Sequence, residues 1–98
     1  NDSVYTPAAA LQIAEIHKDL ENYELASQEY LHALETYPED TDIRVAGLLG
    51  LGESLDQLGR YEEAKVYFKL LIDEYKTTSN PDYRKAVEKA RNLYRQIR

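Results

Sequence analysis

The chain of 98 residues contains no cysteine, no methionine and no tryptophan, and it has only three prolines and four glycines. Without cysteine it can form neither a disulfide nor a thiolate metal site. No apolar stretch approaches the roughly 20 residues that a membrane-spanning helix needs, so we expect no membrane span. Because helix breakers are few and runs of β-branched residues are absent, the composition predicts an all-α protein.

The charged residues are divided unevenly along the chain. Residues 1–79 carry 16 acidic and 6 basic side chains, whereas residues 80–98 carry 2 acidic and 6 basic ones, the last of them Arg98. A nucleic-acid-binding surface draws on clustered Lys and Arg, so the acidic body argues against nucleic acid as a partner. We interpret the basic end as the solvated face of a helix that also pairs with acids of the body.

The chain begins with Asn1 and lacks methionine, which indicates a processed form or a piece of a longer protein. The absence of cysteine fits an oxidising compartment, and it fits a short cytosolic domain as well. Composition therefore leaves the compartment open.

The sequence repeats itself after 38 residues. Such a period is typical of a solenoid, whose units bury their apolar faces by stacking on their neighbours. The identities under this shift are Glu15 with Glu53, Leu20 with Leu58, Tyr23 with Tyr61, Glu24 with Glu62, Ala26 with Ala64 and Tyr37 with Tyr75.

Helix start and stop signals divide the chain into five predicted helices. Thr6-Pro7 begins the first, and Pro38 ends the second. Asp40 or Thr41 caps the third, which ends before Gly59 in a left-handed conformation. Tyr61–Lys76 is the fourth. The fifth begins at Pro81, capped by Asn80 or Ser79, and its single apolar stripe is typical of the helix that closes a solenoid against water.

The two repeated units resemble the tetratricopeptide repeat. The first unit reads Ala10-x2-Ile13-Ala14-x2-His17, then Ala26-x3-Tyr30, then Pro38. The second reads Leu48-x2-Leu51-Gly52-x2-Leu55, then Ala64-x3-Phe68. The resemblance implies a right-handed α-α superhelix in one domain over residues 1–98. Its parts are two helical hairpins, at 7–38 and 41–76, and a capping helix at 80–98.

The units are longer than the common repeat, and the first ends in Tyr37-Pro38. In this they resemble the repeats of bacterial cell-envelope assembly proteins. That similarity favours the envelope or periplasm as the location, with the cytoplasm as the alternative.

The resemblance also implies a concave groove lined by the first helix of each hairpin. We expect it to bind a protein or peptide that carries apolar anchors and basic residues, because its floor is apolar and its margin acidic. Ten residues are predicted to line it: Ala8, Leu11, Glu15, Lys18 and Asp19 from the first unit, and Ala46, Leu49, Glu53, Asp56 and Gln57 from the second.

The main hypothesis is therefore an adaptor that binds a partner without chemistry and without a cofactor. One alternative is self-assembly into a homo-oligomer, because two repeats are fewer than the three that usually stabilise such a stack. Another is that the chain regulates an enzyme elsewhere in a longer protein. No catalytic constellation supports an enzyme within these residues.

Two histidines and two glycines need separate interpretation. His17 lies in the apolar row between paired helices, and His32 faces outward without a second histidine at helical spacing, so no zinc site is expected. Gly47 and Gly50 interrupt a helical pattern at a cost of about 1 kcal/mol each. They indicate either a bend or a place where the backbone of a ligand comes near.

Overall fold

The computed structural model describes residues 5–97, and this part of the chain contains five α-helices. They are α1 (Pro7–Asp19), α2 (Tyr23–Thr36), α3 (Thr41–Gln57), α4 (Tyr61–Tyr75) and α5 (Pro81–Gln96). Residues 5–97 contain no strand, so the predicted all-α class is confirmed. No helix among them is both long and apolar enough to cross a bilayer. Asn1 and Arg98 lie outside the described residues.

Three of the helix starts have the side-chain caps that the sequence predicts. Thr6, Asp40 and Asn80 each accept a hydrogen bond from a backbone amide in the first turn of the following helix, at 3.2, 3.0 and 2.9 Å. Each bond satisfies an amide that has no partner inside its own helix. Of the paired alternatives for α3 and α5, Asp40 and Asn80 are therefore the caps.

Helix α3 is the centre of the fold, because it contacts each of the other four helices. It is buried on nearly every side, so its sequence lacks the one-sided apolar stripe that α5 shows. Its buried residues are Ile43, Val45, Gly47, Leu48, Gly50, Leu51, Gly52, Ser54 and Leu55.

The glycines of α3 admit side chains from the neighbouring helices. A Cβ atom added to Gly50 would lie 2.2 Å from Cζ of the fully buried Tyr30 in α2, and one added to Gly52 would lie 2.5 Å from Cε1 of Phe68 in α4. A Cβ on Gly47 would lie 3.1 Å from Cδ2 of Leu34. The space above Gly47 and Gly50 is thus filled by the chain itself, within a helix that continues to Gln57. Neither a bend nor a ligand backbone is needed to explain them.

The helices lie in two layers. Helix α1 contacts α3 and α3 contacts α5, whereas α2 and α4 do not pack against each other. Helices α1, α3 and α5 therefore form one layer, and α2 and α4 form the other. We call the surface of the first layer that faces away from α2 and α4 the inner face. This arrangement of hairpins is that of an all-α solenoid.

The turns inside the two hairpins have the same geometry but different residues. Gly59 has φ +79° after α3, as the sequence predicts, and Glu21, its counterpart under the shift of 38, has φ +63° after α1. The amides of Asn22 and Arg60 donate to equivalent carbonyls, those of His17 and Leu55, at 2.8 and 2.9 Å. Glutamate therefore adopts a backbone conformation that favours glycine, at a conformational cost.

We predict that Glu21→Gly raises the free energy of unfolding by about 1 kcal/mol, because it relieves this left-handed strain. The reverse change, Gly59→Ala, should lower it by a similar amount, since a Cβ there meets nothing within 4 Å and the cost is purely conformational. Urea denaturation followed by circular dichroism measures both. Destabilisation by Glu21→Gly would contradict the assigned turn geometry.

Candidate functional site

Two recesses lie along the inner face, on either side of its middle. The first cavity, of about 590 Å³, lies between the beginnings of α1 and α3. It is lined by Thr6, Pro7, Ala8, Leu11, Gln12, Glu15, Asp40, Asp42 and Ile43. The second cavity, of about 320 Å³, lies where α1 and α3 end and α5 approaches them. It is lined by Lys18, Asp19, Glu21, Tyr23, Glu53, Asp56, Gln57 and Leu93.

Eight of the ten predicted groove residues line these two recesses. The first cavity contains Ala8, Leu11 and Glu15, and the second contains Lys18, Asp19, Glu53, Asp56 and Gln57. The other two, Ala46 and Leu49, are half-buried on α3 and line neither cavity. Glu15 and Glu53, which are equivalent in sequence, thus lie in different recesses.

Glu53 ties the three helices of the inner layer together. Its Oε1 lies 2.8 Å from Nζ of Lys18 on α1, and its Oε2 lies 2.8 Å from Nζ of Lys89 on α5. The side chain of Glu53 is 15% exposed, whereas that of Lys89 is 58% exposed. Each carboxylate oxygen therefore already has a cationic partner inside the chain, and Glu53 acts here as a structural link.

The second cavity nevertheless retains excess negative charge. Asp19, Glu21 and Asp56 line it beside the paired Glu53, against one lining cation, Lys18. Burial, and after it the charge of Glu53, raises the pKa of the Asp56 carboxyl above its usual value. A carboxylate whose charge is disfavoured in the folded protein gains from a cation brought close to it.

The acids of the first cavity have different duties. Asp40 caps α3, and Asp42 accepts a hydrogen bond at 2.5 Å from the hydroxyl of Tyr83 on α5. That bond raises the pKa of Tyr83 to about 12. Glu15 forms no ion pair within residues 5–97. It is therefore the carboxylate of this cavity that has no structural partner in the described part of the chain.

A buried phenol lies beneath the inner face. The hydroxyl of Tyr30 is inaccessible to solvent, and no group of residues 5–97 hydrogen-bonds to it. Burial, followed by the charge of Glu15, raises the pKa of this hydroxyl. Phe68 takes the equivalent position in the second hairpin without a polar atom. The polar atom of Tyr30 is thus not required for helix packing.

The histidines and acids of residues 5–97 include no group that could hold a metal ion. His17 is half-buried, and its Nδ1 lies 2.7 Å from Oε1 of Glu29, which links α1 to α2. His32 is exposed, with Nε2 at 3.4 Å from the hydroxyl of Thr36 on the same helix. Both contacts are local links between helical residues.

Comparison with protein families matches two models described as tetratricopeptide repeat, one at residues 7–40 and the other at residues 46–78. Together the matches cover about two thirds of the chain, and they fall on the two helical hairpins. The chain belongs to the tetratricopeptide repeat family. Comparison with the curated proteins and with the solved structures gave no match.

Tetratricopeptide repeats generally mediate contacts between proteins, and the family is typically non-catalytic. The cell-envelope subtype inferred from unit length stays a prediction. In this repeat protein, the residues that sequence reasoning missed are Lys89 and Leu93. A shift of 40 residues, which superposes the caps Asp40 and Asn80, would have placed these two side chains at inner-face positions of α5.

We predict that Asp56→Asn stabilises the repeat protein at neutral pH. Because the pKa of Asp56 is raised on folding, the folded state binds the proton more tightly, and stability is lost as pH rises through the folded-state pKa. The variant lacks this loss. The urea midpoint of the variant should exceed that of the parent at pH 7.

The difference between the two urea midpoints should narrow as the pH falls towards about 4, the usual pKa of an aspartate in an unfolded chain. There the aspartic acid becomes as uncharged as the amide. A lower midpoint for Asp56→Asn at pH 7 would contradict the assigned environment of this carboxyl.

Proposed function

We propose that the inner face of this tetratricopeptide repeat protein binds a short segment of a partner protein. The first cavity takes an apolar side chain of that segment, and the second cavity takes a lysine or arginine. The observation that carries the proposal is the pairing of an apolar recess with an acidic recess along one surface of α1 and α3.

The first cavity supports an apolar anchor through its composition. Pro7, Ala8, Leu11 and Ile43 contribute carbon-rich surface, and the recess of about 590 Å³ is large enough for a leucine or an aromatic side chain. Burying such a side chain contributes about 1.5–3 kcal/mol. Glu15 at the same recess is suited to accept hydrogen bonds from the amides of the bound segment.

The second cavity supports a basic side chain through its charge. Asp19 and Asp56 line it without an ion pair in residues 5–97, and Tyr23 and Leu93 provide apolar surface for the stem of a long cationic side chain. The raised pKa of Asp56 adds to this argument, because a guanidinium or ammonium would favour the ionised carboxylate. Charge complementarity of this kind contributes to both specificity and association rate.

Glu53 is a poor position at which to test binding. Its carboxylate holds Lys18 and Lys89, so a change there alters the contact between three helices as well as the charge of the cavity. Asp19 and Asp56 carry no such link among residues 5–97. Their removal therefore reports on the ligand site more directly.

The test measures binding of fluorescein-labelled peptides by anisotropy. One pool carries a leucine or phenylalanine together with arginine, and a matched pool carries glutamate in place of arginine. We expect the arginine pool to bind preferentially and its affinity to fall as salt is added. The double variant Asp19→Asn/Asp56→Asn should weaken binding by about tenfold or more, equivalent to about 1.4 kcal/mol.

A matched control removes two carboxylates from the other layer, by Glu62→Gln and Asp73→Asn on α4, where both side chains are exposed. It should leave the affinity unchanged. Equal binding of the two peptide pools, or equal weakening by the control, would rule out the acidic cavity as the site of a basic residue.

A further inference from the structure

One side of α1 presents an apolar strip to solvent. The strip consists of Ala9, Ile13, Ile16 and Leu20, of which Ile16 is 51% and Leu20 71% exposed. Spacings of four, three and four residues place these side chains on one side of a helix, and this spacing is typical of the seam between two packed helices. The predicted groove residues of α1, among them Ala8, Leu11 and Glu15, lie at other positions of its surface.

The internal repeat shows that the equivalent side of α3 is covered. The shift of 38 matches Ala9 with Gly47, Ile13 with Leu51, and Ile16 with Ser54. All three α3 residues are buried, and the Cβ position of Gly47 lies against Leu34 of the first hairpin. Within residues 5–97 nothing covers the corresponding strip of α1, so a surface built for helix packing lacks its helix.

We propose that this strip binds the same strip of a second copy of the chain, with the two α1 helices antiparallel about a two-fold axis. A head-to-tail contact would instead bring the strip against the outer surface of α5, where exposed residues are largely charged: Arg84, Lys85, Glu88, Lys89 and Arg95. Burying those charges against aliphatic side chains is costly. Self-pairing of the strip buries apolar surface against apolar surface, and a two-fold interface closes on itself.

The antiparallel arrangement also matches large side chains with small ones. Aligning the two strips places Leu20 of one copy opposite Ala9 of the other, and Ile13 opposite Ile16, so that bulky and small residues alternate across the seam. The first turn of α1 has no acidic residue, and Asp19 near the other end of the helix would lie beside the first turn of the second copy. A negative charge is favoured there by the helix dipole.

Sedimentation equilibrium over a wide concentration range tests the association. The weight-average mass should rise from 11.3 kDa towards twice that value with increasing concentration. Ile16→Lys and Leu20→Lys should each lower the association constant by about tenfold or more, because each buries a charge in the seam. Val66→Lys, at a position on α4 that is 55% exposed, is the matched control and should leave association unchanged.

Disulfide mapping tests the geometry, and a chain without cysteine offers a clean background. A mixture of the Ala9→Cys and Leu20→Cys variants should form a crosslinked heterodimer on mild oxidation, in higher yield than either variant alone. A mass that stays at one chain at all concentrations would overturn the proposal. So would a dimer that is insensitive to the α1 lysine variants. Neither outcome bears on peptide binding, since the groove residues are unchanged in these variants.

Discussion

The fold depends on aromatic side chains packing directly against the backbone of α3. Tyr30 from α2 and Phe68 from α4 lie over Gly50 and Gly52, so close that no β-carbon fits between ring and backbone. The two rings belong to different hairpins but to the same helix partner. Because a protein interior is packed about as densely as an organic crystal, this contact determines how closely the hairpins approach.

The candidate binding surface follows from that approach. Glu53 can reach Lys18 and Lys89 only when α1 and α5 lie on either side of α3, and this link holds the end of the second cavity. Surface ion pairs contribute little by themselves, typically about 0–1 kcal/mol, so the link orients helices that packing has already brought together. Stability thus comes mainly from the glycine contacts and the buried apolar residues, while the charges shape the face that a partner meets.

Features that depend on local sequence were predictable, and features that depend on distant pairs were not. The caps at Asp40 and Asn80 and the left-handed Gly59 involve residues within a few positions of one another, so their chemistry is visible in the sequence. The two hairpins were visible because the repeat occurs twice. The reason for Gly50 was hidden, because it requires knowing that the ring of Tyr30, twenty positions earlier, lies above it.

The candidate site divides in the same way. Helical spacing and the family resemblance brought Lys18, Asp19, Glu53 and Asp56 onto one list, and the structure places them around one recess. That Glu53 is neutralised by two lysines could not be foreseen, since Lys89 is on a helix whose register relative to α3 differs from the 38-residue period. The left-handed Glu21 was likewise unexpected, because glutamate gives no local signal for that conformation.

The measurement that tests this account most directly compares Gly→Ala variants of α3 by urea denaturation. In a helix with free space, Gly→Ala stabilises by about 1 kcal/mol, so the sign of the change is diagnostic. We expect Gly50→Ala and Gly52→Ala to lower the free energy of unfolding by about 1–3 kcal/mol, because the added carbon meets a rigid ring. Gly47→Ala, which meets the flexible end of Leu34, should change it least. Stabilisation by Gly50→Ala and Gly52→Ala would contradict the claim that the rings of Tyr30 and Phe68 lie against the backbone of α3.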